Sequence, residues 1–201
     1  EVERARALRS RVEVELAQPA FRAPRGPHPE PWPLLVVLHA HGEGGAAVLA
    51  GPWAEAADEL GYALLAPSAP LPAGEDPALG MKWFEDVREL VERPNRHGQR
   101  ILDLVLEALA RHDLDRERVF LAGVGEAGPV AFDLALRAPG RFRGVSLLDG
   151  TILPEVAAPN SASPWPFVGA VGLVVAALGL VGASAGPLHA ALPDAAALDT
   201  V

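Results

Sequence analysis

The chain has 201 residues, half of them hydrophobic, enough for one domain with a sizeable core. Its 17 basic residues stand against 26 acidic ones, include a single lysine (Lys82) and form no Lys/Arg stripe, which excludes a phosphate-binding surface and with it a nucleic-acid partner. Cysteine is absent, which excludes a disulfide framework and thiolate metal sites and is compatible with a reducing or an oxidising compartment.

The opening residues from Glu1 are charged and helix-like and show no secretory h-region. Period-two alternation over residues 11–17 predicts a half-buried strand, and the proline-rich run to Trp32 predicts a loop. Residues 34–38 are continuously apolar and feed a turn from His39 to Gly45, the pattern of a strand buried on both faces. Residues 53–60 read as a helix stopped by Gly61, and residues 62–66 as a second buried strand that Pro67, Pro70 and Pro72 prevent from extending. A loop with Met81, Lys82, Trp83 and Phe84 follows. Between Gln99 and His112, apolar positions 101, 102, 104, 105, 106 and 109 keep helical spacing, with Asp103, Glu107 and Arg111 opposite. Residues 113–118 turn the chain into a strand at 119–122. A helix over 130–136 and a short strand over 145–148, ending at Asp149, complete the pattern. Strands alternating with helices predict an α/β fold, a three-layer α/β/α sandwich around a mostly parallel, doubly wound sheet.

Charge is unevenly spread. Every charged residue except Asp194 and Asp199 lies at or before Glu155, which divides the chain into a patterned domain over 1–155 and an Ala/Gly/Val/Leu-rich segment over 156–201 that is uncharged as far as Pro193. The run 167–185 approaches the ~20 residues that span hydrocarbon. It reads as a membrane segment, as the remaining strand and helix of the same domain, or as degenerate sequence. No Lys/Arg cluster flanks it and the preceding sheet needs further cover, so a soluble chain is favoured over a membrane partner.

Residues 119–129 read Val-Phe-Leu-Ala-Gly-Val-Gly-Glu-Ala-Gly-Pro, a strand, a glycine turn and a helix start. The Gly-x-Ser-x-Gly turn of a hydrolase needs small residues two places either side of its nucleophile, because strand and helix approach closely there. Gly123 and Ala127 fill those places around Gly125, which has no hydroxyl to attack a carbonyl. Four landmarks occur in order: His41-Gly42-Glu43-Gly44-Gly45, Ala66-Pro67 with Ala69-Pro70, Trp83-Phe84, and Asp115-x-x-Arg118-Val-x-Leu-x-Gly123. With these the sequence resembles the phospholipase/carboxylesterase family of α/β-hydrolases, small serine esterases that include acyl-protein thioesterases.

The resemblance implies an α/β-hydrolase-like domain, truncated or atypical in its C-terminal part. It places Gly125 at a degenerate nucleophile position and an oxyanion hole at the backbone of Gly42, Glu43 and Glu126. It also implies an acyl pocket bordered by His41, Trp83 and Phe84. Asp149 is the candidate acid and His189, the only downstream histidine, the candidate base. No cofactor is implied, and the expected partner is a small acyl or ester ligand. The implied function is that of a serine esterase homologue impaired in catalysis or reduced to ligand binding. Ser68, Ser146, Ser161, Ser163 and Ser184 lack the elbow context that would replace the missing nucleophile.

The same glycines, Gly123-x-Gly125-x-x-Gly128, match a dinucleotide fingerprint. That motif normally opens its domain and has its acidic partner ~20 residues on. Here two strand-helix units precede it and Asp149 lies further away, which favours the elbow. A third reading is a membrane-tethered structural or interaction domain held by 167–185. His39, His41 and Glu43 could share one face as metal ligands, but no third or fourth ligand has suitable spacing, so no metal is expected and one histidine should be packed and the other exposed. Glu85, Asp86, Glu89 and Glu92, alternating with Arg88 and Arg93, read as a solvated face, and Trp83-Phe84 as core or cleft wall.

Overall fold

The computed structural model describes residues 20–76, 79–86, 89, 96–138 and 140–149. The expected strand at 11–17, His189 and the uncharged run at 167–185 lie outside these. In chain order the elements are β1 (Phe21–Arg22), β2 (Trp32–Leu38), α1 (Gly45–Ala50), α2 (Pro52–Leu60), β3 (Ala63–Leu65), β4 (Leu71–Pro72), β5 (Met81–Lys82), α3 (Arg96–Arg111), β6 (Leu114–Val124), α4 (Ala127–Arg137) and β7 (Gly144–Leu148).

Five strands form one sheet in the order β1-β3-β2-β6-β7, with β1 antiparallel and the other pairings parallel. This is the mostly parallel α/β arrangement that the alternation of strands and helices predicts. The apolar run of β2 is buried on both faces because it has a helical layer on each side. Leu34, Val36 and Leu38 join a core with Ile101, Leu104 and Val105 of α3 and Val130, Ala131 and Leu134 of α4. Leu35 and Val37 pack with Val48 of α1 and Ala54 and Ala57 of α2.

Several elements differ from the sequence reading. The loop expected before Trp32 contains β1, whose two residues have no periodicity of their own and are extended because they pair with Leu64 and Leu65. Helix α1 fills part of the stretch after the His39–Gly45 turn, and Gly51 separates it from α2, which starts one residue earlier than expected with Pro52 in the first turn. Leu106 is exposed. The buried stripe of α3 runs through residues 101, 104, 105, 108 and 109, and position 106 lies a further helical step around the axis from it. Strand β6 begins at Leu114 rather than 119, pairing Leu114 with Trp32 and Val119 with Leu34. Between those pairs β2 advances two residues and β6 five, so the charged residues 115–118 are accommodated as an irregularity. Arg118 closes it, donating to Asp115 Oδ2 at 2.5 Å and to the Pro31 carbonyl at 3.1 Å.

The connectivity decides where a site can form. From β2 the chain moves to β3 on one side, then passes back over β2 to place β6 on the other. Helices α1 and α2 after β2 lie on one face and α4 after β6 on the opposite face. The carboxyl ends of β2 and β6 thus flank a topological switch point, the place where open α/β sheets hold ligands.

Candidate active site

At the carboxyl end of β6 the chain turns sharply into α4. Gly125 has φ +55°, its N–H donates to the Leu148 carbonyl of β7 at 2.7 Å, and its carbonyl accepts from Gly128 N–H at 3.0 Å. The flanking positions are tight. A Cβ at Gly123 would lie 2.6 Å from the Ala127 carbonyl oxygen and 2.8 Å from Ala131 Cβ, and Ala127 itself is fully buried. At Gly125 the situation is reversed: among the described residues a Cβ there would meet only Ala40 Cβ, at 3.8 Å. The close approach of β6 and α4 therefore requires small residues at 123 and 127, while among the described residues a side chain at 125 meets no more than an ordinary van der Waals contact.

The loop after β2 is held against this turn by contacts between the separate sequence landmarks. His39 is fully buried. Its Nε2 accepts the Ala69 N–H at 2.9 Å, which places the ring proton on Nδ1, donated to the Ala40 carbonyl at 2.7 Å. The His39 carbonyl accepts from Trp83 Nε1 at 2.8 Å, and the two rings pack with centroids 5.1 Å apart. Ser68 Oγ accepts the Gly45 N–H at 3.0 Å, at a point where a Cβ on Gly45 would be 2.0 Å from the Ala66 carbonyl oxygen. A one-residue ladder joins the loop to β5: Gly42 N–H donates to Met81 O and Met81 N–H to Glu43 O, both at 2.9 Å. The His-Gly, Ala-Pro and Trp-Phe landmarks are thus one hydrogen-bonded assembly beside the elbow.

Glu126, next to Gly125, precedes the first turn of α4 but makes no side-chain cap to that helix. Its carboxylate reaches across to the loop instead. Oε1 accepts the Trp83 N–H at 2.7 Å, and Oε2 pairs with His41 Nδ1. The His41 side chain is 54% exposed against 16% for Glu126, so the imidazole stands at the surface on a largely buried carboxylate. His39 packed and His41 exposed is the division the sequence suggested. Both rings are engaged through hydrogen bonds, and among the described residues no group of three or more His, Asp or Glu side chains is placed to hold a metal.

The remaining candidates divide. Gly42 has its N–H on the Met81 carbonyl, and Glu43 N–H reaches the Ala40 carbonyl at 3.3 Å. Trp83 is buried and Phe84 partly buried against the same core, so both pack as wall rather than as exposed platforms. Asp149 is exposed at the end of β7 with φ +53°. Ser68 is buried in its bond to the loop, and Ser146 is buried within β7, so neither lies at the turn. The sequence reading did not find the His41–Glu126 pair. These residues lie 85 positions apart, and no local pattern joins them.

A mostly parallel sheet with helices on both faces, and a tight strand-turn-helix at its switch point with small residues at both flanks, define the α/β-hydrolase fold. The chain belongs to the Esterase PHB depolymerase family, whose model matches residues 18–183. The α/β-hydrolase esterase resemblance seen in the sequence is met at this level. No curated protein matches the chain by sequence. Among solved structures it is similar to acetyl xylan esterase from Aspergillus awamori, with TM-score 0.54 and 17% identity over 66% of this chain and 46% of that one. It is also similar to the Bacillus cereus carboxylesterase, with TM-score 0.52 and 17% identity over 66% of this chain and 59% of that one. The chain spans about half the length of these structures, and at such identities the likeness establishes the fold.

Proposed function

We propose that this esterase-family chain binds a small acyl or ester ligand at the switch point and forms no acyl-enzyme with it, because Gly125 occupies the nucleophile's position. The observation that carries this reading is the contrast within one turn. Position 123 has no room for a methyl group, whereas position 125 has a positive φ and, among the described residues, only an ordinary contact for a Cβ, but no side chain. His41, Trp83 and Phe84 border the ligand. Glu126 N–H is the proposed oxyanion-type donor, since Gly42 and Glu43 direct theirs to Met81 and Ala40. Asp149 and His189 remain the proposed acid and base.

The nucleotide-binding reading of Gly123, Gly125 and Gly128 has less support. A pyrophosphate would have to sit at the N-terminus of α4, where the Glu126 carboxylate would repel it. The family match reaches residue 183, across most of the uncharged run, and this supports 156–201 as the rest of the domain begun in 1–155 rather than a membrane tether. No described helix is long and apolar enough to cross a membrane.

Exposure to a fluorophosphonate probe, followed by peptide mapping, tests the reading. The wild-type chain should remain unlabelled, and Gly125→Ser should be labelled at residue 125 if acid and base are in place. Labelling of any wild-type serine would overturn the proposal.

A further inference from the structure

Beside the vacant nucleophile position stands a complete carboxylate–imidazole pair that the serine-esterase scheme does not use. We propose that His41, held by Glu126, is a general base that activates water directly for attack on a bound ester, a hydrolysis without an acyl-enzyme. This rests on the reading of Gly125 as a nucleophile position without a nucleophile.

Three observations carry it. First, the Glu126 carboxylate accepts at His41 Nδ1, so in the neutral ring the proton is on Nδ1 and the lone pair of Nε2 is available as a base. Second, Glu126 is itself fixed: its other oxygen accepts the Trp83 N–H at 2.7 Å, and Trp83 is buried and bonded to the His39 carbonyl. The imidazole is therefore oriented through two successive hydrogen bonds while it remains 54% exposed, where water and substrate reach it. Third, the pair adjoins the elbow. Glu126 follows Gly125, His41 follows Ala40, and, chain neighbours apart, Ala40 Cβ at 3.8 Å is the nearest atom among the described residues to a Cβ built at 125. The room left by the missing hydroxymethyl group is where an attacking water would stand.

In the proposed step the water oxygen bonds to the ester carbonyl carbon while Nε2 of His41 takes one of its protons. The carbonyl π pair moves to oxygen, facing the Glu126 N–H. Collapse of the tetrahedral intermediate breaks the carbon–alkoxide bond, and the leaving alkoxide takes the proton back from Nε2. One ester and one water give one carboxylic acid and one alcohol, and the histidine returns neutral. The carboxylate at Glu126, an unhelpful neighbour for an oxyanion alone, is suited to this route because it stabilises the imidazolium formed midway. His41 is the catalytic residue and Glu126 a positioning residue.

The test is p-nitrophenyl acetate hydrolysis by the full chain, with equimolar free imidazole as the reference. Wild type should exceed that reference, with no burst of p-nitrophenol. His41→Gln should lose ~10²-fold of the excess, within the usual contribution of a general base, and His112→Gln should lose none. Glu126→Gln should lower kcat with little change in KM. A low-field proton resonance of the His41 Nδ1–H, present in wild type, should disappear in Glu126→Gln even if that variant is less stable. A wild-type rate no higher than free imidazole, or an unchanged rate in His41→Gln, overturns the water-activation proposal and leaves the Gly125 reading intact. Fluorophosphonate labelling of a wild-type serine overturns both.

Discussion

Alanine at Gly123 and alanine at Gly125 add the same methyl group two residues apart in one turn, and their surroundings predict unequal costs. At 123 the new Cβ lies 2.6 Å from the Ala127 carbonyl oxygen, 3.0 Å from its carbon and 2.8 Å from Ala131 Cβ. None of these is the end of a flexible side chain, so α4 has to move away from β6, and overpacking of this kind costs about 3 kcal/mol. At 125 the nearest atom is Ala40 Cβ at 3.8 Å, an ordinary contact, and the cost is that of a left-handed φ for an L-residue, about 1–2 kcal/mol. Reduced freedom of the unfolded chain returns about 0.4–1 kcal/mol of this, leaving a net loss near 1 kcal/mol. For a chain of this size 1 kcal/mol corresponds to about 2–4 °C, so Gly123→Ala should lower Tm by about 10 °C and Gly125→Ala by about 3 °C. Thermal unfolding followed by circular dichroism, with urea titration to check that the slope is unchanged, measures both. Equal losses, or a larger loss at 125, would refute the assignment of 125 as the open position of the elbow.

Three further outcomes follow from the same geometry. His39→Leu removes the acceptor of the buried Ala69 N–H and should cost about 2 kcal/mol in urea unfolding. Ser146→Ala removes a buried hydroxyl that has no hydrogen-bond partner among the described residues, so Tm should hold or rise by up to about 3 °C. The Arg118 guanidinium, and then the Glu117 N–H, hold the Asp115 carboxyl below its ordinary value of 3.8. The carboxylate's stabilising contribution is therefore present above that value and is lost as pH falls through the lowered one. The stability difference between wild type and Asp115→Asn should be constant near neutral pH and shrink below about pH 3.8, as read from urea midpoints across an acid series.

Much of this protein was legible in the chain because the relevant patterns are local. The continuous apolar run at 34–38 marks a strand with a layer on each face, and the 3.6-residue stripe of α3 marks its buried side, apart from Leu106. Gly61 ends α2 with φ +73°, and small residues at 123 and 127 announce a close strand-helix crossing in the sequence itself. Each of these depends on a residue's own volume, φ preference or spacing to its neighbours. What the tertiary structure alone decided depends on partners distant in sequence. Strand β1 exists because β3 offers it an edge, and the charged residues 115–118 fit an irregularity set by register with β2. The Gly42 N–H is engaged because β5 is brought beside it. Glu126 enters the sequence reading only through its backbone N–H, yet its carboxylate bonds to Trp83 and His41 because the switch in strand order sets the ends of β2 and β6 side by side. Local propensity determines which segments become strands and helices. Which side chains then meet depends on chain connectivity, and that juxtaposition pairs an imidazole and a carboxylate 85 residues apart in sequence beside the turn at Gly125.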